Sequence, residues 1–126
     1  MREFFFESIC VFFENFLQKM TKLSLKEAKE KLKKVSNFAE VKRRAKRLFG
    51  PRAMVSVNQD GKHKYSFSLP TKGIHHRSFG DIHYEDFTKH KDKKRRANYL
   101  SRSRNIRGNW KKDKYSKNNL AIRLLW

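Results

Sequence analysis

The chain has 126 residues, enough for one compact domain but not for two full cores. Its 32 Lys and Arg against 12 Asp and Glu give a formal net charge of +20, far beyond the roughly 2–8 that solubility asks of a small domain. Such an excess points to a polyanionic or acidic partner. A single cysteine, Cys10, excludes an intrachain disulfide framework and a Cys-based zinc cluster, and fits a reducing compartment.

Residues 1–20, MREFFFESICVFFENFLQKM, form the most apolar window. Glu3, Glu7 and Glu14 interrupt it, so it falls short of the roughly 20 predominantly apolar residues of a membrane-spanning helix. It also lacks the basic start and small-residue cleavage site of a signal peptide, so secretion is not expected. At helical pitch Phe5, Ile9, Phe12, Phe13, Phe16 and Met20 share one face, and Glu3, Glu7, Glu14, Asn15 and Gln18 the other. Three uses stay open for this amphipathic helix: packing on its own chain, docking on a partner protein through Phe5, Phe12 and Phe16, or lying in a membrane interface. Interfacial helices usually carry Lys and Arg on the polar face, and this one carries Glu, so a membrane is the least expected partner.

Ser24-Leu25-Lys26-Glu27 has the spacing of a capping box, with Ser24 at the N-cap. Apolar positions then recur at Leu25, Ala28, Leu32, Val35, Val41, Ala45, Leu48 and Phe49. They predict one helix of roughly seven turns, ended by Gly50-Pro51. Its other face carries Arg43, Arg44, Lys46 and Arg47, a cluster dense enough to be a candidate phosphate contact.

From Ala53 the period changes to two. Residues 53–57, 64–69 and 74–79 alternate as strands, separated by turns at Asn58–Gly61 and Pro70–Gly73, and predict a three-stranded antiparallel meander. Tyr65, Phe67 and Leu69 fall on one side, and Lys64, Ser66 and Ser68 on the other. The apolar side must be buried against a helix, either the long N-terminal one or the one after Asp92. Asp92 is a suitable N-cap for a helix over Lys93–Arg104 with Ala97, Tyr99, Leu100 and Ser103 turned inward. Gly108 and Asn109 break it, and Leu120–Trp126 closes the chain as an apolar helical turn or two.

The expected architecture is therefore α+β. It has two N-terminal helices within residues 1–50, then a small basic β-β-β-α domain over residues 51–126 with its sheet packed on a basic helix.

No phosphate-binding glycine loop, dinucleotide motif or nucleophile with a recognisable base is present, so no enzymatic activity and no cofactor are expected. His63, His75, His76, His83 and His90 lack metal-ligand spacing. His75 and His76, as strand neighbours, are expected on opposite faces. Glu85-Asp86 are read as capping or ion-pairing with the basic helix rather than as a catalytic pair. The chemistry with physical support is binding of phosphate backbones, DNA before RNA and without strong sequence preference. Its candidate contacts are Lys93, Lys94, Arg95, Arg96, Arg102, Arg104, Arg107, Lys111 and Lys112, with Arg43, Arg44, Lys46 and Arg47 beside them. By analogy with sheet-reading modules, Lys64, Ser66, His75 and Arg77 are candidate groove readers. The rival partner is an acidic protein surface.

The order Phe79-Gly80, Tyr84-Glu85-Asp86-Phe87-Thr88, His90-Lys91-Asp92, a Lys/Arg helix with Tyr99-Leu100 and Arg102, Asn109-Trp110 and Leu124-Leu125-Trp126 resembles a family of small basic proteins of large nucleocytoplasmic DNA viruses. The resemblance covers about residues 53–126. It departs from the family pattern at Ser103, where a His is usual, and in lacking Trp just before the closing Leu-Leu-Trp. It implies a viral origin and a non-enzymatic role in or near the virion, within the infected cell or the particle. A minor capsid function is the alternative to nucleic-acid binding.

Overall fold

The computed structural model describes residues 22–126. The helix expected over residues 1–20, with its Phe5, Phe12 and Phe16 face, lies outside the described residues.

Ser24 caps α1 (Leu25–Lys33) as its spacing requires, its Oγ accepting from the Glu27 amide at 3.2 Å. The seven-turn helix expected to continue from there is broken into two. α2 (Phe38–Phe49) starts afresh with Asn37 as N-cap, its side chain accepting from the Glu40 amide at 3.3 Å. The reason is a competing set of partners for the backbone between the helices. The Asp86 amide donates to Val35 O at 3.0 Å, and the Asn37 amide donates to Thr88 Oγ1 at 3.0 Å. Asn37 three residues before Glu40 was a second capping signal within an unbroken apolar stripe.

The sheet is the expected meander in the order β1-β2-β3, with β1 (Met54–Val57), β2 (His63–Leu69) and β3 (Ile74–Asp81) antiparallel throughout. Val55 pairs with Phe67, and Tyr65 with Phe79. The ladder slips between Phe67 and Leu69, where His76 takes a left-handed φ of 48° and donates its amide to Ser68 Oγ at 3.1 Å. His75 and His76 are both exposed. A short helix, α3 (Phe87–His90), follows, then α4 (Lys93–Arg104) and α5 (Lys117–Leu124). Asp92 caps α4 by accepting from the amides of Lys94 and Arg95.

Of the two candidates for covering the sheet, the N-terminal one does so: α2 lies on β1, while α5 lies on β3. Val41, Ala45, Tyr65, Phe67, Phe79, Leu120 and Leu124 are fully buried, at about 1.5–3 kcal/mol for each large side chain. Phe38 stacks on Tyr65, and Phe49 meets Phe67 edge-on. Core residues thus come from both sides of Gly50-Pro51. α4 packs instead on α3 and α5, with Ser103 buried, Tyr99 and Leu100 half-buried and Ala97 exposed rather than inward. No described helix is long and apolar enough to cross a membrane.

A buried polar chain ties these layers together. The Tyr65 hydroxyl donates to Ser36 Oγ at 2.7 Å, and Ser36 Oγ lies 3.2 Å from Thr88 Oγ1. Thr88 in turn donates to Asp86, whose other carboxylate oxygen accepts from Lys64 Nζ at 3.1 Å. Burial pushes the Tyr65 phenol up and keeps it a donor. Lys64, expected on the solvent side of β2, is only 3% exposed and Asp86 is 0% exposed. Pairing is what makes such burial tolerable.

Gly80 lies beside this chain with φ of 80°, and a Cβ there would fall 2.9 Å from Leu125 Cδ1 and 3.2 Å from Lys64 Cβ. Both the backbone and the space reserve the position for glycine. Gly80→Ala is expected to lower stability by about 1–3 kcal/mol, read as a drop in thermal midpoint.

Candidate nucleic-acid interface

α2, α4 and α5 meet along a recess of about 290 Å³ lined by Arg44, Arg47, Arg96, Arg104 and Arg123 around Leu48, Leu100 and Ile122. Helical spacing builds it: Arg96, Leu100 and Arg104 follow one another at i, i+4 on α4, as Arg44 and Leu48 do on α2. Two of the guanidiniums are anchored from behind. Arg44 donates to Glu40 Oε1 at 3.2 Å and to Leu124 O at 3.5 Å, while Arg96 Nε donates to Trp126 O at 2.7 Å. Among the described residues, Arg47, Arg104 and Arg123 have no carboxylate partner. The recess runs on through Arg104, Ile122 and Arg123 into a second of about 440 Å³ that adds Trp110, Lys111 and Asn119. Trp110 is held in place by its indole N–H, which donates to Ile106 O at 2.7 Å.

Of the residues expected to contact phosphate, Arg44, Arg47, Arg96 and Arg104 therefore converge, and Lys111 joins them. Arg95 and Arg102 line a different cleft with Lys64 and Asp81, and Arg107 lines its neighbour. Arg43, Lys46, Lys93, Lys94 and Lys112 stand exposed outside these recesses. Arg123 was missed, because the closing segment read as an apolar plug. Its signal was a lone Arg between Leu120 and Leu124, the i, i+4 pair that faces the core.

The sheet does not offer the expected groove readers. Lys64 is buried on Asp86, and Ser66 Oγ accepts from Asn58 Nδ2 at 3.1 Å. Arg77 Nη1 is spent on Asp113 at 2.8 Å and on Tyr115 O at 3.0 Å. His75 alone of the four is exposed. Glu85 does face the basic helix, 3.7 Å from Arg95, but Asp86 turns inward to Lys64.

Several acidic groups pair with nearby cations, Glu40 with Lys91 and Asp113 with Arg77 across elements and the rest locally. Burial would raise the Glu40 carboxyl, but hydrogen bonding and charge from Lys91, at 2.5 Å, and Arg44 outweigh it and hold the group below its usual range. At Asp60 and Asp81, burial is likewise outweighed by His63 and His83 respectively. The Asp113 carboxyl is lowered chiefly by its hydrogen bond from Arg77. A depressed folded-state pKa means that the unfolded chain binds protons more readily. Its stabilisation is present above the unfolded value and lost as pH falls through the folded one. Unfolding titrations should therefore show stability declining as pH drops through 4.5 and 3.8, the ordinary Glu and Asp values. Glu40→Gln should blunt the first part of that decline.

A family model described as "Family of unknown function (DUF5754)" matches residues 54–103, from the start of β1 to the penultimate residue of α4. No curated protein and no solved structure matches the chain. The matched stretch holds Lys64, Gly80, Asp86 and Thr88, but of the five recess arginines only Arg96. The similarity to that family is thus carried by the sheet, the buried ion pair and the basic helix.

Proposed function

We propose that this protein is a non-enzymatic nucleic-acid-binding protein that grips the phosphate backbone in the arginine recess between α2, α4 and α5. The observation that carries the reading is the convergence of five guanidiniums from three helices on one concavity, three of them without a carboxylate partner among the described residues. Arginine is suited to this, since its planar fork binds phosphate oxygens in pairs and never loses its charge. The recess offers few groups that read base edges, so the contact is to the backbone and sequence preference is weak. The resemblance to the basic proteins of large DNA viruses supports an infected cell or a viral particle as the setting, with DNA the first ligand to try.

The test is binding of the purified chain to mixed-sequence duplex and single-stranded DNA across a salt series, with the recess arginines reversed in charge. A folded protein that binds neither DNA at low salt overturns the reading, and an acidic protein partner of the particle then takes its place.

A further inference from the structure

On the other side of α4 from the arginine recess lie two adjoining clefts of about 620 and 790 Å³ that share Gly80, Asp81, Tyr99 and Ile106. Their walls are unusually apolar for so charged a chain. Ile106 is 52% exposed and Tyr84 68%, and Trp126, stacked on Tyr99 at 4.1 Å, and Trp110 flank them. An apolar patch of this kind, rimmed by polar groups, marks an interaction surface. We propose that its occupant is the chain's own N-terminal segment, residues 1–21. This inference is independent of the nucleic-acid reading.

The position where that segment joins the described chain favours it. Leu23 is fastened to the β1–β2 turn: its amide donates to Gln59 O at 2.8 Å, and its carbonyl accepts from Gln59 Nε2 at 3.1 Å. Its side chain lies 3.9 Å from where a Cβ on Gly61 would be. The next two residues, Lys62 and then His63 at the start of β2, are themselves part of the cleft rim. The described chain thus begins beside the opening, and the helix expected from the sequence before it would span roughly 30 Å at about 1.5 Å per residue. Such a tether gives an effective concentration on the order of millimolar, which a separate partner must exceed.

The chemistry of the two surfaces also matches. By sequence the segment carries Phe5, Ile9, Phe12, Phe13, Phe16 and Met20 on one side and Glu3, Glu7 and Glu14 on the other, with residues 1–18 at net −2. The aromatic walls supply the apolar complement. Arg95, Arg102, Arg107 and Lys117 around the clefts outnumber Asp81 and Glu85 there and leave a net opposite charge. The arginine recess across α4 has the charge but only an aliphatic floor beside Trp126, so the six apolar side chains select the cleft.

The lone cysteine provides the test. Cys10 stands three residues after Glu7 and four before Glu14, hence on the acidic side at helical pitch, where a label does not occupy the docking face. The full chain is labelled with a nitroxide at Cys10, and backbone amide signals are recorded before and after reduction of the label. The expected result is loss of intensity at Tyr84, Tyr99, Ile106 and Trp110, restored by reduction, with Arg44, Arg47 and Leu48 unaffected. Ile106→Asp, a change at an exposed position, should remove the effect while leaving the rest of the spectrum in place. Broadening that is absent, or equal on both sides of α4, overturns the proposal. So does broadening that appears when labelled chain is mixed with an isotope-labelled, nitroxide-free chain, because the occupant is then a second copy.

Discussion

Asp86→Ala is expected to lower the stability of the fold by about 3–5 kcal/mol, the range for removing one partner of a buried ion pair. Lys64 would be left 3% exposed with its counter-charge gone. Burial already pulls the Lys64 ammonium below its ordinary pKa, with Asp86 foremost among the groups opposing that fall. Thr88 would lose its acceptor at the same time, loosening the chain that runs through Ser36 to Tyr65. For a domain of this size the thermal midpoint should fall by roughly 12–20 °C, at about 4 °C per kcal/mol. Circular dichroism melts of wild type and variant check this. The double change Lys64→Met/Asp86→Leu should recover most of the loss, since replacing both charges by apolar groups is often neutral or better. A single variant that melts within about 3 °C of wild type would show the pair to be solvated in solution.

Reversing the charge of Arg47, Arg104 and Arg123 to Glu is expected to weaken DNA binding roughly 10²–10³-fold at about 0.1 M salt. Five phosphate contacts correspond to a slope of log affinity against log salt of about −4.5 on duplex and −3.5 on a single strand. With two contacts left the duplex slope should fall to about −1.8. The control is a variant of identical net charge, Lys93→Glu/Lys94→Glu/Lys112→Glu, whose positions line none of the recesses. It should keep most of the affinity. Equal losses in the two variants would mean that the molecule binds through its overall field and not through the recess. All six positions are exposed, so neither variant should unfold the protein, and melts recorded beside the titrations verify that.

What the sequence determined by itself was local. Period-two alternation with Asn-Gln-Asp-Gly and Pro-Thr-Lys-Gly turns specified the meander and its order, because strand pairing across short turns leaves little freedom. Ser24 and Asp92 fixed two helix starts through side chains that satisfy amides within three residues. Gly50 fixed a helix end in the same local way.

Tertiary structure decided what no local pattern encodes. α1 and α2 part because Asp86 and Thr88, about 50 residues further on, claim the backbone at Val35 and Asn37. Lys64 is drawn inside for the same reason: alternation says which side of a strand a residue faces, not what covers that side. The candidate site divides along that line. Its charge was evident in composition, and its basic helices in spacing. Which arginines meet was set by how three helices separated by up to 80 positions pack on one sheet. That packing removed Arg102, Arg95 and the sheet readers from the recess and brought in Arg123.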